Sequence, residues 1–133
     1  MVARSRYPKL VSPVLIPEVW PDILPGLQTM QKKAGGDSPD TIQKRLVEHE
    51  AFLFTVPEGF FVLLPVARAQ PSVLVWAAYG VGGGLIQKYE PVISALARKV
   101  GAFTLEFESP RPGYRRALKH WKRTGNRYTR RLT

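Results

Sequence analysis

The chain has 133 residues, 44% of them hydrophobic, and 20 Lys and Arg against 10 Asp and Glu give it a formal net charge of +10. That length and apolar content predict a single folded domain with one core, and the absence of cysteine excludes a disulfide framework, a thiolate metal site and a cysteine nucleophile. No apolar run approaches the roughly 20 residues that cross a bilayer, so no membrane span is expected.

The N-terminus has Arg4, Arg6 and Lys9 but no apolar core or cleavage site of a secretory signal after them. The lack of cysteine fits a reducing cytoplasm. Pro8, Pro13, Pro17 and Pro21 follow, each removing a backbone donor and restricting its predecessor, so residues 1–21 are expected to form an extended proline-rich arm or an edge strand. The domain itself is expected over 22–133. Asp22 can cap a short helix with Pro25 in its first turn, in which Leu24, Leu27 and Met30 recur until Gly35 and Gly36. Ser38 as N-cap, Pro39 at the first helical position and Asp40 at the positive end of the dipole predict a second helix to about Glu50, burying Ile42, Leu46 and Val47.

The period then changes. Residues 51–56 and 60–67 are rich in aromatic and β-branched types and flank Pro57, Glu58 and Gly59, the pattern of a hairpin. Residues 73–79 read as a central strand, apolar on both faces, with Trp76 in the core. After Gly80, Gly82, Gly83 and Gly84, the spacing of Ile86, Tyr89, Ile93, Leu96, Ala97 and Val100 predicts a helix that Gly101 stops. Residues 103–108 alternate, Phe103, Leu105 and Phe107 inward against Thr104, Glu106 and Glu108 outward. Tyr114 to Trp121 is expected as a short helix that buries Ala117, Leu118 and Trp121, and Asn126 to Leu132 as a last strand. Tyr114 and Tyr128 lie among arginines, where they either stack on bases or pack on the sheet.

Charge is the other strong signal. Arg111, Arg115, Arg116, Lys119, Lys122, Arg123, Arg127, Arg130 and Arg131 occur between 109 and 133 without one acid, whereas 11–108 hold eight basic and ten acidic residues. Cations interleaved with Leu118 and Trp121 at helical spacing predict a rigid basic face directed at a polyanion, either DNA bound non-specifically through phosphates or an acidic protein. No base-reading motif accompanies it. His49 and His120 have no second ligand at metal spacing and read as surface residues, and no serine sits in a nucleophile elbow. The run Gly80–Gly84 lacks both the lysine of a P-loop and the third glycine of the dinucleotide fingerprint; it either cradles a phosphate or forms a tight strand-to-helix turn.

The segments VLVWAAYGVGGGLIQKYEPVISALARKVGA and FTLEFESPRPGYRRALKHWKRTGNRY, in this order of elements, resemble the Gcn5-related N-acetyltransferase (GNAT) family. The resemblance implies an α+β fold with a central, mostly antiparallel sheet flanked by helices. It implies acyl-CoA held weakly, if at all, by Gly80, Gly82, Gly83 and Gly84 at a helix N-terminus. Three departures point to lost catalysis. Tyr79 stands where the family has Arg or Gln, Trp121 stands where it often has a general-acid tyrosine with Tyr114 about two turns too early, and residues 73–79 contain no carboxylate. The chain is thus more similar to degenerate GNAT-like proteins of tailed bacteriophages. That likeness implies a non-catalytic virion or assembly component, without cofactor, which contacts DNA or other virion proteins in the virion and in the host cytoplasm. It leaves self-association into a homo-oligomer open. The alternatives are an active acyl-CoA N-acetyltransferase, with water or Glu106 taking the amine proton, and a small phage protein that modulates a host protein.

Overall fold

The strands carry apolar side chains on both faces, so the chain has to cover its sheet twice. The computed structural model describes residues 8–132, and Arg4 and Arg6 of the basic start lie outside them. In chain order the elements are β1 (Lys9–Leu10), a 3-10 turn, α1 (Ile16–Ala34), α2 (Pro39–Val47), β2 (Phe52–Val56), β3 (Gly59–Val66), β4 (Ser72–Gly80), α3 (Leu85–Lys99), β5 (Thr104–Glu108), α4 (Gly113–Ala117), β6 (Lys122–Thr124) and β7 (Arg127–Arg131). The sheet order is β1-β2-β3-β4-β5-β7-β6, and every pair is antiparallel except β4 with β5. The α+β class and the mostly antiparallel sheet are as expected. Among the described residues no helix is long and apolar enough to cross a membrane.

One face of the sheet, with Phe61, Val75, Leu105, Phe107 and Tyr128, is buried under α3 and the α4 segment, which contribute Ile86, Ile93, Leu118 and Trp121. The other, with Leu53, Phe60, Val62 and Ala77, lies under α1 and α2 through Ile16, Trp20, Ile23, Leu27, Ile42 and Leu46. Helix α1 sits so close that a Cβ on Gly26 would come within 2.8 Å of the Phe60 and Tyr79 rings.

The extended arm expected as far as residue 21 holds only for β1 at the sheet edge. Helix α1 begins at Ile16 and runs through Pro21 and Pro25. Pro17 stands in its first turn, where a missing N–H loses nothing, and Ile16, Trp20, Ile23 and Leu27 form one buried stripe whose burial outweighs the hydrogen bonds removed by the two inner prolines. The second helix starts as predicted, with the Ser38 hydroxyl accepting from the Thr41 N–H. At the end of α3, Val100 is 65% exposed and the following Phe103 46% exposed, against the inward placement expected of both. The helix expected over 114–121 stops at Ala117, because the chain must turn at once to enter β6; the Leu118 N–H bonds to Tyr114 and the Trp121 N–H to Leu118.

The β2–β3 turn is tied to α3 by Glu58, which accepts from the Lys88 ammonium and the Tyr89 hydroxyl. Those two bonds hold its carboxyl at about 2, below an ordinary value of 4.5. A carboxylate whose pKa falls on folding adds stability that is complete above 4.5 and disappears as pH drops through about 2. Glu58→Gln is therefore expected to lower the melting temperature near pH 7, where the wild-type carboxylate contributes fully, and to flatten its fall between those two pH values, as read by circular dichroism across an acid titration.

Candidate functional site

Strands β4 and β5 pair in parallel only over Ser72–Val75 and Thr104–Phe107. Beyond Val75, β4 shifts its register against β3 at Val62/Leu63 and continues to Gly80, while β5 follows β7 instead. The two strands part, and a cleft of about 430 Å³ opens between them beneath the C-terminal end of α1. Its walls are Trp76, Ala77 and Ala78 on one side and Phe107 to Arg111 with Tyr114 on the other. Trp76, expected in the core, is half-buried at this point, and its indole N–H donates to Asp37 at 2.9 Å. From Trp76 onward no strand among the described residues pairs with the β4 edge that faces the cleft, so its backbone groups are available to an extended ligand.

The glycine loop continues β4 past the cleft and leads into α3. Gly82, Gly83 and Gly84 have φ of 90°, 73° and 69°, and a side chain at either of the first two would meet only open space. These glycines answer to backbone conformation, whereas at Gly80 a Cβ would lie 2.5 Å from Leu85. The loop is pinned by the Val81 N–H, which donates to the Glu58 carbonyl. No side chain caps α3, whose first-turn N–H groups point toward the loop. Both functions proposed for these glycines are thus compatible: a tight turn, and an uncapped helix start with open space before it.

Tyr114 is the site residue that spacing had set aside. Its ring packs edge-on to Phe107 at 4.7 Å in the cleft wall, and burial pushes its hydroxyl above 10, with Arg111 pulling the other way. Trp121 is buried elsewhere, and its indole N–H donates to Glu90 at 3.0 Å. Tyr79, in the loop's basic position by sequence, packs instead toward Phe60 on the α1 side. Asp37 and Glu108, one on the α1–α2 loop and one at the end of β5, bring carboxylates to the cleft that β4 itself lacks.

Glu106 is not a free base. Expected outward, it is only 3% exposed, and it accepts from Arg127 at 2.9 Å, pairs with Arg68 at 2.8 Å and takes a hydrogen bond from Ser72. Glu90 on α3, 6% exposed, likewise collects Trp121, His120 at 3.0 Å and Arg130. His120 is exposed, as expected, and its ring hydrogen-bonds to Glu90. Among the described residues no group of His, Asp and Glu is placed to hold a metal.

The nine cations of the basic segment do not share one face. Arg111 lines the cleft. Arg127 and Arg130 are tied to Glu106 and Glu90. Cross-strand register puts Lys122 beside Thr129, on the side of Arg127 and Arg131, and Arg123 beside Tyr128, on the side of Arg130 and α3. Arg115, Arg116 and Lys119 are exposed on the α4 segment.

No protein-family model matches the sequence, and no curated protein matches it. Solved structures do match its fold. N-acetylglutamate synthase from Neisseria gonorrhoeae, complexed with coenzyme A and N-acetyl-glutamate, superposes with a TM-score of 0.63 at 13% identity, over 98% of this chain and 36% of that one. The GNAT family N-acetyltransferase YhbS from Escherichia coli, in complex with CoA, gives 0.53 at 13% identity, over 100% of this chain and 86% of its own. AtaT-AtaR, solved as a complex bound to DNA, gives 0.52 at 14% identity over 68% and 73%. The chain therefore has the GNAT fold and spans about a third of the synthase chain.

Proposed function

We propose that this protein binds an acyl-coenzyme A thioester between β4 and β5 and transfers the acyl group to an amine. The observation that carries the proposal is the cleft at the β4/β5 divergence, which has an unpaired strand edge on one wall and a half-buried phenol on the other. The synthase and YhbS structures that share the fold hold coenzyme A, which supports the choice of ligand. Open backbone groups of 76–79 suit the amides of an extended pantetheine arm, and Gly82–Gly84 with the first turn of α3 suit its pyrophosphate. The acceptor nitrogen attacks the thioester carbonyl carbon, the C–S bond breaks, and the Tyr114 hydroxyl supplies the proton that the departing thiolate needs. An ordinary phenol already keeps that proton at neutral pH, and burial raises the Tyr114 pKa further. The acceptor loses its own proton to water, because Glu106 is held by Arg68 and Arg127 away from the cleft.

The test is thiol release from acetyl-CoA across a panel of primary amines. Amine-dependent release is expected; its absence with every amine would leave the non-catalytic virion or assembly reading, which draws support from Tyr79 and Trp121 in the positions where an active family member has its loop and acid residues.

A further inference from the structure

The net charge of this protein is distributed unequally between the two sides of its sheet. On the side of α1 and α2 the signs balance. Lys32, Lys33 and Lys44 are matched by Glu18, Asp22 and Asp40, Arg45 pairs with Glu50 at 2.6 Å, and Arg68 and Arg127 converge on Glu106. On the other side the acids are Glu58 and Glu90, both already engaged, the first by Lys88 and the second by Arg130 and His120. Against them stand Arg98 and Lys99 at the end of α3, Arg115, Arg116 and Lys119 on the α4 segment, and Arg123 on β6.

We propose that this α3–α4 face docks on the phosphate backbone of nucleic acid, independently of the cleft. Four of these six cations are arginines, whose planar forks match phosphate oxygens in pairs; Arg98 and Arg123 each donate one hydrogen bond to a backbone carbonyl, of Leu132 and Gly125. Between 111 and 131 no large apolar side chain is exposed, so the α4 and β6 part of the face lacks an aromatic or aliphatic anchor, and the exposed Val100 and Phe103 follow Arg98 and Lys99 at its α3 end. The α4 segment and the sheet present these charges on fixed backbone, and nothing on the face reads base edges, so binding is sequence-independent.

The test is anisotropy of a labelled random-sequence duplex with the full chain and two charge-matched variants. Wild type is expected to bind at about 50 mM salt and to weaken by about three orders of magnitude by about 200 mM. Arg115→Glu with Arg116→Glu should weaken binding more than about tenfold and lower the salt slope by about 2, while Lys122→Glu with Arg131→Glu, an equal charge change on the opposite face, should weaken it less than about threefold. Equal losses in the two variants would overturn the proposal, as would no binding at low salt. Tighter binding to polyglutamate or to phosphatidylserine vesicles than to the duplex would also overturn it and identify an acidic protein or a membrane surface instead. If charge reversal on α4 lowers the melting temperature, Arg115→Gln with Arg116→Gln against Lys122→Gln with Arg131→Gln must give the same ordering.

Discussion

Tyr114→Phe lowers the rate of acyl transfer by about a hundredfold or more while leaving the affinity for coenzyme A within about twofold. The substitution removes one oxygen and keeps the ring that packs on Phe107. A side chain that only filled the cleft wall would therefore pass the test unchanged. The hydroxyl's contribution arises when the C–S bond breaks and negative charge develops on sulfur, so its loss falls on kcat and not on the binding of the thioester. Because burial raises the Tyr114 pKa above its ordinary value of 10, any fall in the wild-type rate through this group's ionisation should come at higher pH than an ordinary tyrosine would give. Acyl-group transfer monitored by thiol release gives the rate, and titration calorimetry with coenzyme A gives the affinity. Equal rates for the two proteins would remove Tyr114 from the reaction.

Glu90→Ala is the substitution with the largest expected effect on stability. One carboxylate there ties α3 to the turn after α4 and to β7, through Trp121, His120 and Arg130. Removing it leaves a buried indole N–H without its acceptor and a half-buried guanidinium without its counter-charge. The combined loss is about 3 kcal/mol, or a fall of roughly 10 °C in melting temperature for a domain of this size. Glu90→Gln keeps an acceptor for the indole but not the charge, so it should lie between wild type and the alanine variant. Thermal melts at neutral pH order the three proteins. An alanine variant as stable as wild type would mean that the last two strands are held by apolar packing alone.

The hairpin β2–β3 is legible from its aromatic and β-branched content, β4 from apolar residues on both faces, β5 from strict alternation, and α2 because Ser38, Pro39 and Asp40 mark its start. What failed did so for identifiable reasons. The apolar stripe of α1, at 16, 20, 23 and 27, is present in the sequence, but prolines at 13, 17 and 21 read as extended chain, so the helix is expected only from Asp22; helix propensity is outweighed by burial against the sheet. Glu106 is placed outward by the alternation of 103–108 and Glu90 carries no signal of its own in the sequence, and only the fold brings Arg127 and Arg68 to the first and Arg130 to the second. The glycine loop was found from composition. The cleft beside it was not, since it arises where two strands distant in sequence diverge, and that divergence also brings Tyr114 within reach of a site that linear spacing along α4 denied it. The basic segment was visible as a sum of charges, but the division of Lys122 and Arg131 from Arg115 and Arg116 depends on strand register.

The central claim is that the β4/β5 cleft takes an acyl-coenzyme A, and thermal denaturation with and without acetyl-CoA tests it most directly. A ligand at about 100 times its dissociation constant stabilises the folded state by about 2.7 kcal/mol, so a rise of several degrees in melting temperature is predicted. No rise at saturating acetyl-CoA, with a GNAT acyltransferase as positive control under the same conditions, would contradict it.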